Sequence, residues 1–131
     1  MKRSIMKRWV KALRSGEYEQ TKDKLVSEDD SFCCLGVLCN LSVDDGVGEW
    51  RHDHILGRWF FQCNEYFDFK DAMELPESVR EWAGMNSCDG AIRTDISPYS
   101  LIYPPTLAEL NDNGKSFKEI ADIIEKNYKD L

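Results

Sequence analysis

The chain has 131 residues, of which 42% are apolar and 31% are charged, a balance that fits one soluble domain with its own hydrophobic core. Its longest apolar runs are about eight residues, far short of the ~20 that cross a bilayer, so the composition argues against a membrane-spanning helix. The net charge of −7 repels nucleic acid phosphates, and the odd number of cysteines, five, predicts free thiols in a reducing cytoplasm rather than the disulfides of a secreted domain.

The first predicted element is a basic amphipathic helix over residues 4–14. Its apolar residues recur at spacings of three and four and form one stripe, made of Ile5, Met6, Trp9, Val10 and Leu13. Six of the 17 basic residues precede the first acidic residue, which leaves 11 basic against 24 acidic residues, a net charge of −13, in the rest of the chain. We therefore expect this helix to lie along an acidic body. The alternative is a contact arm for nucleic acid or an acidic partner.

The next predicted element is built on the apolar run over residues 32–39, which carries three of the five cysteines. The polar cluster over residues 27–31 precedes it and consists of residue types that cap helix N-termini. The run predicts a helix over residues 32–41 that is buried on every side, because Asn40 is its only polar residue. Gly36 costs this helix about 1 kcal/mol relative to alanine, which predicts the close approach of another backbone. A buried strand is the alternative, although cysteine and leucine outnumber β-branched residues.

The middle of the chain changes character. Aromatic residues between glycines predict a small antiparallel sheet at about residues 49–69, with a hairpin turn near Gly57. A short helix follows over residues 76–83, since a proline suits the first turn of a helix and Gly84 suits its end. Residues 85–105 hold three prolines and many small polar residues, which predicts an ordered loop that could act as a lid.

The C-terminal region predicts a helical hairpin over residues 106–129. Thr106 with Glu109, and Ser116 with Glu119, each match the capping box, in which a hydroxyl and a carboxylate satisfy exposed amides reciprocally. In outline the hairpin looks like a DNA-reading helix-turn-helix, but its acidic residues outnumber its lysines, so packing on the core is the better interpretation. Together the elements predict one helix-rich α+β domain that spans the whole chain.

Cys33 and Cys34 are the candidate nucleophiles of an enzymatic interpretation. They fall in the first turn of the predicted buried helix, where unpaired amides and the helix dipole lower the pKa of a thiol. His52 or His54 could then serve as the general base. Against this, no cysteine-hydrolase signature surrounds the pair, and free cysteine is among the most buried residue types, so packing is the simpler interpretation.

The two histidines also raise the question of a metal site. His52 and His54 would share one face of a strand, and Cys63 or Cys88 could join them as a third ligand. No pair of these residues has the spacing of a zinc motif. We therefore predict no metal and no cofactor, with both histidines exposed in a turn-rich segment.

Aromatic residues are concentrated in the middle of the chain rather than on the long helices. They could line a pocket for a flat ligand, with arginines binding its phosphate or carboxylate. The predicted ligand-binding residues are Arg51, Arg58, Trp59, Arg93, Tyr99 and Tyr103. The alternative is that the aromatic residues form the apolar face of the small sheet and a loop that closes it.

Four segments together resemble a group of small proteins from tailed phages and prophages. They are residues 12–20, which read Ala-Leu-Arg-Ser-Gly-x-Tyr-x-Gln, the run over residues 32–39, Leu75-Pro76 with Trp82, and residues 107–125. The segments span nearly the whole chain, and their order and spacing make the resemblance specific. That group has no assigned activity, so the resemblance implies a setting, the cytoplasm of a bacterial host, rather than a mechanism. The His-Asp-His segment over residues 52–54 is not a feature of the group.

By this resemblance we expect a non-enzymatic phage or prophage accessory protein that binds a host protein or a small anionic, nucleotide-like ligand, with counter-defence as one such role. The alternative is a cysteine-dependent hydrolase or transferase that uses Cys33 or Cys34. Nucleic acid contact through the basic first helix is a third and weaker interpretation. The oligomeric state stays open.

Overall fold

A computed structural model describes residues 1–63, 72–92 and 102–131 of the chain. In these residues the elements in chain order are α1 (Arg3–Arg14), α2 (Cys34–Asp44), β1 (Glu49–Asp53), β2 (Arg58–Gln62), α3 (Glu77–Ala83), α4 (Leu107–Asp112) and α5 (Phe117–Asn127). The two strands pair antiparallel, and the helices share one hydrophobic core. The predicted small α+β fold, with a C-terminal helical hairpin, is confirmed.

Helix α1 is buried along its predicted apolar stripe. It packs against α5 and α2. Trp9 is completely buried, and its indole Nε1 donates a hydrogen bond of 2.9 Å to the carbonyl oxygen of Cys34. Burial of such a ring contributes on the order of 3 kcal/mol, and its one polar group stays satisfied. The apolar face of α1 is therefore part of the core.

The basic face of α1 lies against acidic side chains of the same chain. Arg8 donates to both carboxylate oxygens of Asp45, at 2.8 and 3.2 Å. Arg14 reaches Asp122 at 2.6 Å and Glu125 at 2.8 Å, both on α5. Exposed pairs of this kind contribute only about 0–1 kcal/mol each to stability. Their geometry agrees with the expectation that the basic helix lies along an acidic body.

Helix α2 begins at Cys34, two residues later than predicted, and the polar cluster over residues 27–31 does not cap it. The N-cap residue is Cys33, whose Sγ accepts a hydrogen bond of 3.3 Å from the amide of Gly36. The polar cluster over residues 27–31 instead closes a turn on itself, through a 2.8 Å backbone hydrogen bond between its first and last residues. Phe32 lies in isolated β-bridges, so its backbone is extended and the helix cannot start there.

Gly36 is the point at which the segment before α2 crosses this helix. A β-carbon at this position would lie 1.9 Å from the carbonyl oxygen of Leu25 and 2.7 Å from its carbonyl carbon. The same oxygen accepts a hydrogen bond of 3.1 Å from the amide of Cys33, which fixes it in place. Only glycine fits here without moving a backbone. The predicted close approach of another backbone is confirmed.

A buried asparagine joins three parts of the fold. Asn111 on α4 is fully buried, and its Oδ1 accepts from the amide of Cys34 at 3.1 Å and from the side chain of Gln20 at 2.9 Å. Its Nδ2 donates to the carbonyl of Thr21 at 2.8 Å. These bonds tie α4 to the start of α2 and to the segment that precedes α2. No sequence pattern marks this residue.

The shorter elements follow their local signals. Helix α3 ends at Gly84 in a left-handed conformation, with φ of 69°, while Pro76 is its N-cap residue. The capping boxes of α4 and α5 are both formed. Residues 64–69 of the predicted sheet region and residues 93–101 of the predicted loop lie outside the described residues. Within the described part of the chain, no helix is long and apolar enough to cross a membrane.

Candidate binding site

The β1–β2 hairpin sorts its side chains onto two faces, because residues directly paired across strands share a face and successive residues alternate. One face carries the pairs Trp50–Phe61 and His52–Trp59. The other face carries the pairs Glu49–Gln62, Arg51–Phe60 and Asp53–Arg58. Arg51 and Arg58 are thus separated from Trp59, with which the sequence grouped them in one ligand site.

Aromatic rings continue from the hairpin into the segment before α2. Four rings contact in series, edge to face, with centroids 5.0 to 6.0 Å apart: Phe61, Trp50, Phe32 and Tyr18. Asn40 on α2 bridges this series, because its Oδ1 accepts from Nε1 of Trp50 at 3.0 Å and its Nδ2 donates to the hydroxyl of Tyr18 at 2.9 Å. Asn40, the one polar residue of the predicted buried helix, therefore fixes the orientation of Trp50.

A cavity of about 230 Å³ opens beside these rings. This aromatic cavity is lined by Val26, Asp30, Phe32, Asn40, Trp50 and Trp59. Asp30, its charged lining residue, sits in the turn over residues 27–31 in a left-handed conformation, with φ of 60°. Among the described residues no lysine or arginine lines the cavity, so the one formal charge in this lining is negative.

Glu28, His52 and His54 contact in series, and we name them the histidine cluster. The rings of His52 and Trp59 have centroids 5.0 Å apart. Nε2 of His52 donates to Oε1 of Glu28 at 2.9 Å, and its Nδ1 lies 3.1 Å from Nδ1 of His54. Since a carboxylate only accepts, Nε2 of His52 carries the hydrogen, and in the neutral ring Nδ1 turns its lone pair toward His54. In the described ranges, no three histidine, cysteine, aspartate or glutamate side chains converge in an arrangement that could hold a metal ion.

Cys33 and Cys34 are buried at the start of α2, where their environment does not activate them. Desolvation by burial raises the pKa of the Cys33 thiol to about 11, although nearby backbone amides act in the opposite direction. Burial also raises the pKa of Cys34 well above its ordinary value. Sγ of Cys34 donates to the carbonyl of Leu107 at 3.5 Å. Thiols held protonated in this way are poor nucleophiles, and both residues serve packing and capping.

A second, more open cavity of about 450 Å³ lies at the base of the hairpin and contains Arg51. It is lined by Gly46, Val47, Gly48, Glu49, Arg51, Gln62 and Cys63. The guanidinium of Arg51 bonds to the carboxylate of Glu49 at 2.6 Å. The single arginine and the single glutamate of this lining carry opposite charges, so the cavity offers an anionic ligand no net positive charge.

The remaining predicted ligand residues do not join the aromatic cavity. Arg93 and Tyr99 lie outside the described residues. Tyr103 is 66% exposed and lines neither of the two cavities. Of the described members of the predicted set, Trp59 alone reaches the aromatic cavity.

Several cavity residues were missed from the sequence. Val26, Asp30 and Phe32 come from a segment without a periodic pattern, and their convergence with the hairpin depends on the turn over residues 27–31. Asn40 did carry a signal, because a single polar residue in a buried apolar helix needs a hydrogen-bonding partner. That partner turned out to be the aromatic series.

Comparison with known proteins adds a family. The family described as "Domain of unknown function (DUF8296)" matches residues 1–128. Because the match covers nearly the whole chain, this chain belongs to the DUF8296 family. No curated protein and no solved structure matches it.

Proposed function

We propose that this member of the DUF8296 family is a non-enzymatic binding protein that holds a cationic side chain of a partner protein in the aromatic cavity. In the setting that the phage resemblance suggests, the partner is a basic surface of a host protein in the bacterial cytoplasm, and the role is counter-defence. The observation that carries the proposal is the lining, in which three aromatic rings and one carboxylate surround about 230 Å³.

The lining suits a cation for two reasons. The faces of Phe32, Trp50 and Trp59 are rich in electrons, and a lysine ammonium or an arginine guanidinium placed over such a face gains about 0.5–2 kcal/mol. Asp30 adds a formal negative charge at the same cavity. An anion would meet both the ring faces and this carboxylate unfavourably.

The hairpin tip favours a protein over a free amine as the source of that cation. Ile55 is 95% exposed and Leu56 is 48% exposed. The turn is held by Asp53, whose Oδ1 accepts from the amides of Ile55 and Leu56 at 2.9 and 3.1 Å. Two apolar side chains presented on a fixed turn suit contact with the apolar part of a protein surface. The net charge of −7 attracts a basic partner over a longer range.

The two alternatives have less support. A small anionic ligand needs cationic groups, but Arg51 is paired with Glu49 and lies with Arg58 on the face away from the aromatic cavity. A cysteine-dependent enzyme needs a thiolate, but burial raises the pKa values of both Cys33 and Cys34.

The proposal is tested with three glycine–serine peptides that differ only in their central residue, which is arginine, lysine or glutamate. Binding is followed by NMR through the indole N–H signals of Trp50 and Trp59. We expect the arginine and lysine peptides to shift both signals and the glutamate peptide to leave them in place. Asp30→Asn removes the carboxylate, and because asparagine accepts the left-handed conformation, it should weaken peptide binding about fivefold without unfolding the turn.

Asp23→Asn is the matched control. Among the described residues Asp23 is the second aspartate in a left-handed conformation, with φ of 62°, and it does not line the aromatic cavity. Equal effects of the two substitutions, or tighter binding of the glutamate peptide, would refute the cation site. If guanidinium ion alone binds as tightly as the arginine peptide, the cavity takes a small cation and the protein partner is refuted.

A further inference from the structure

We propose that the histidine cluster binds a divalent transition-metal ion, which Nδ1 of His52 and Nδ1 of His54 hold between them. The chain contains two histidines, and the hairpin brings both to one place. The inference does not depend on the proposed partner, because it concerns the two imidazoles and not the aromatic cavity.

The separation of the two nitrogens suits a shared ion. Bonds from zinc to imidazole nitrogen are about 2.0–2.1 Å long, so two nitrogens 3.1 Å apart subtend about 100° at one ion. This angle lies between those of square-planar and tetrahedral coordination, the geometries that Cu²⁺, Ni²⁺ and Zn²⁺ adopt with imidazole ligands.

The orientation of the two rings agrees with this reading. If a straight N–H···N hydrogen bond joined the nitrogens, the ring centres would lie about 5.3 Å apart, because each centre is about 1.1 Å behind its nitrogen. If both nitrogens instead pointed at one ion, the ring centres would lie about 4.8 Å apart. The observed separation is 4.6 Å, with the ring planes inclined by 62°. This separation is nearer to that of the shared-ion arrangement than to that of a straight hydrogen bond.

Glu28 acts as a positioning residue for His52. Its Oε1 takes the hydrogen of Nε2 at 2.9 Å, on the side of the ring away from His54. This contact selects the tautomer with an unprotonated Nδ1 and makes the imidazole a stronger ligand, as in carboxylate–histidine–metal arrangements. Two protein ligands leave the other coordination positions to water, unlike closed structural zinc sites. We therefore expect an exchangeable ion, with Cu²⁺ bound more tightly than Zn²⁺.

The test is a titration of the whole chain with Zn²⁺, followed by NMR of the imidazole signals. Both histidines should shift together with one shared dissociation constant. His52→Ala and His54→Ala each remove one of the two ligands, so each should weaken binding at the remaining imidazole by at least about tenfold. Zinc bound by cysteine thiols elsewhere does not shift these two signals and is thereby distinguished.

Glu28→Gln tests the positioning role, with Glu17→Gln, an exposed glutamate outside the cluster, as its control. We expect Glu28→Gln to weaken binding about tenfold and the control to leave it unchanged; equal affinities would remove Glu28 from the site. The metal site itself is overturned if Zn²⁺ shifts the imidazole signals of one histidine alone, or of neither at millimolar concentration. It is also overturned if the two histidines give different dissociation constants, or if either alanine variant loses less than about tenfold in affinity.

Discussion

Gly36→Ala tests the tight contact between α2 and the segment before it. On an isolated helix this change adds about 1 kcal/mol of stability, because alanine is the better helix former. In the folded protein the new methyl group would meet the carbonyl oxygen of Leu25 at 1.9 Å. Carbon and oxygen atoms in contact prefer about 3.3–3.6 Å, so the two backbones would have to separate by more than an ångström.

That separation disturbs the hydrogen bonds on both sides of Leu25. Its carbonyl accepts from the amide of Cys33 at 3.1 Å, and its amide donates to the carbonyl of Ala72 at 2.9 Å. Overpacking costs about 1–3 kcal/mol, and each weakened hydrogen bond costs about 1 kcal/mol more. After the gain in helix propensity we expect the free energy of unfolding to fall by about 2–4 kcal/mol, a large part of the 5–15 kcal/mol typical of a domain.

Urea denaturation, followed by tryptophan fluorescence, measures this loss as a lower midpoint at an unchanged m value. Gly46→Ala is the control, because its added β-carbon has no described atom within 4 Å and meets only the strain of a φ of 73°. We expect the control to lose about 1–2 kcal/mol. A Gly36→Ala protein that equals or exceeds the wild type in stability would show that helix propensity outweighs the contact, and would refute the reasoning.

Two further predictions concern the core. Asn111→Ala leaves the amide of Cys34 and the carbonyl of Thr21 without their partner, so denaturation should show that the free energy of unfolding falls by roughly 3 kcal/mol. The control is Asn113→Ala, an exposed position, which should lower it by about 0.5 kcal/mol or less. Equal losses in the two variants would contradict the role of Asn111. Stability should also fall at alkaline pH. The pKa of the Cys33 thiol is about 11 in the folded state against an ordinary value of 9.0, so the unfolded chain loses the thiol proton first as the pH rises from 9.0 to about 11. Cys33 should contribute roughly 3 kcal/mol of the decline between these two pH values, in addition to the contribution of Cys34, so under reducing conditions Cys33→Ala should lose less stability than the wild type; an equally steep decline in Cys33→Ala would contradict the assignment.

The elements that the sequence predicted correctly depend on local signals. The apolar stripe of α1 and the capping boxes of α4 and α5 involve residues within one or two helical turns. The start of α2 was predicted wrongly, because residues 27–31 form hydrogen bonds with one another and Phe32 takes part in β-bridges. The N-cap residue is therefore Cys33. A polar cluster before an apolar run can cap a helix or close a turn of its own, and composition does not distinguish the two.

The candidate site was harder to predict because it is assembled from distant segments. Asp30, Asn40 and Trp59 come from a turn, a helix and a strand. Their convergence is set by tertiary packing, which no local pattern encodes. The separation of Arg51 from Trp59, by contrast, follows from the alternation of side chains once the strand register is known.

The apolar run over residues 32–39 and the aromatic cavity are built on the same contacts. Gly36 lets the backbone of Leu25 lie against α2, and Val26, the next residue, lines the cavity. Phe32, the first residue of the run, and Asn40, which directly follows it, line the cavity as well. Because interiors are close-packed, a shift of α2 against Leu25 moves three parts of the cavity wall together. The cysteine-rich run therefore serves the proposed binding through the position of its backbone, while the thiols of Cys33 and Cys34 stay protonated in the core.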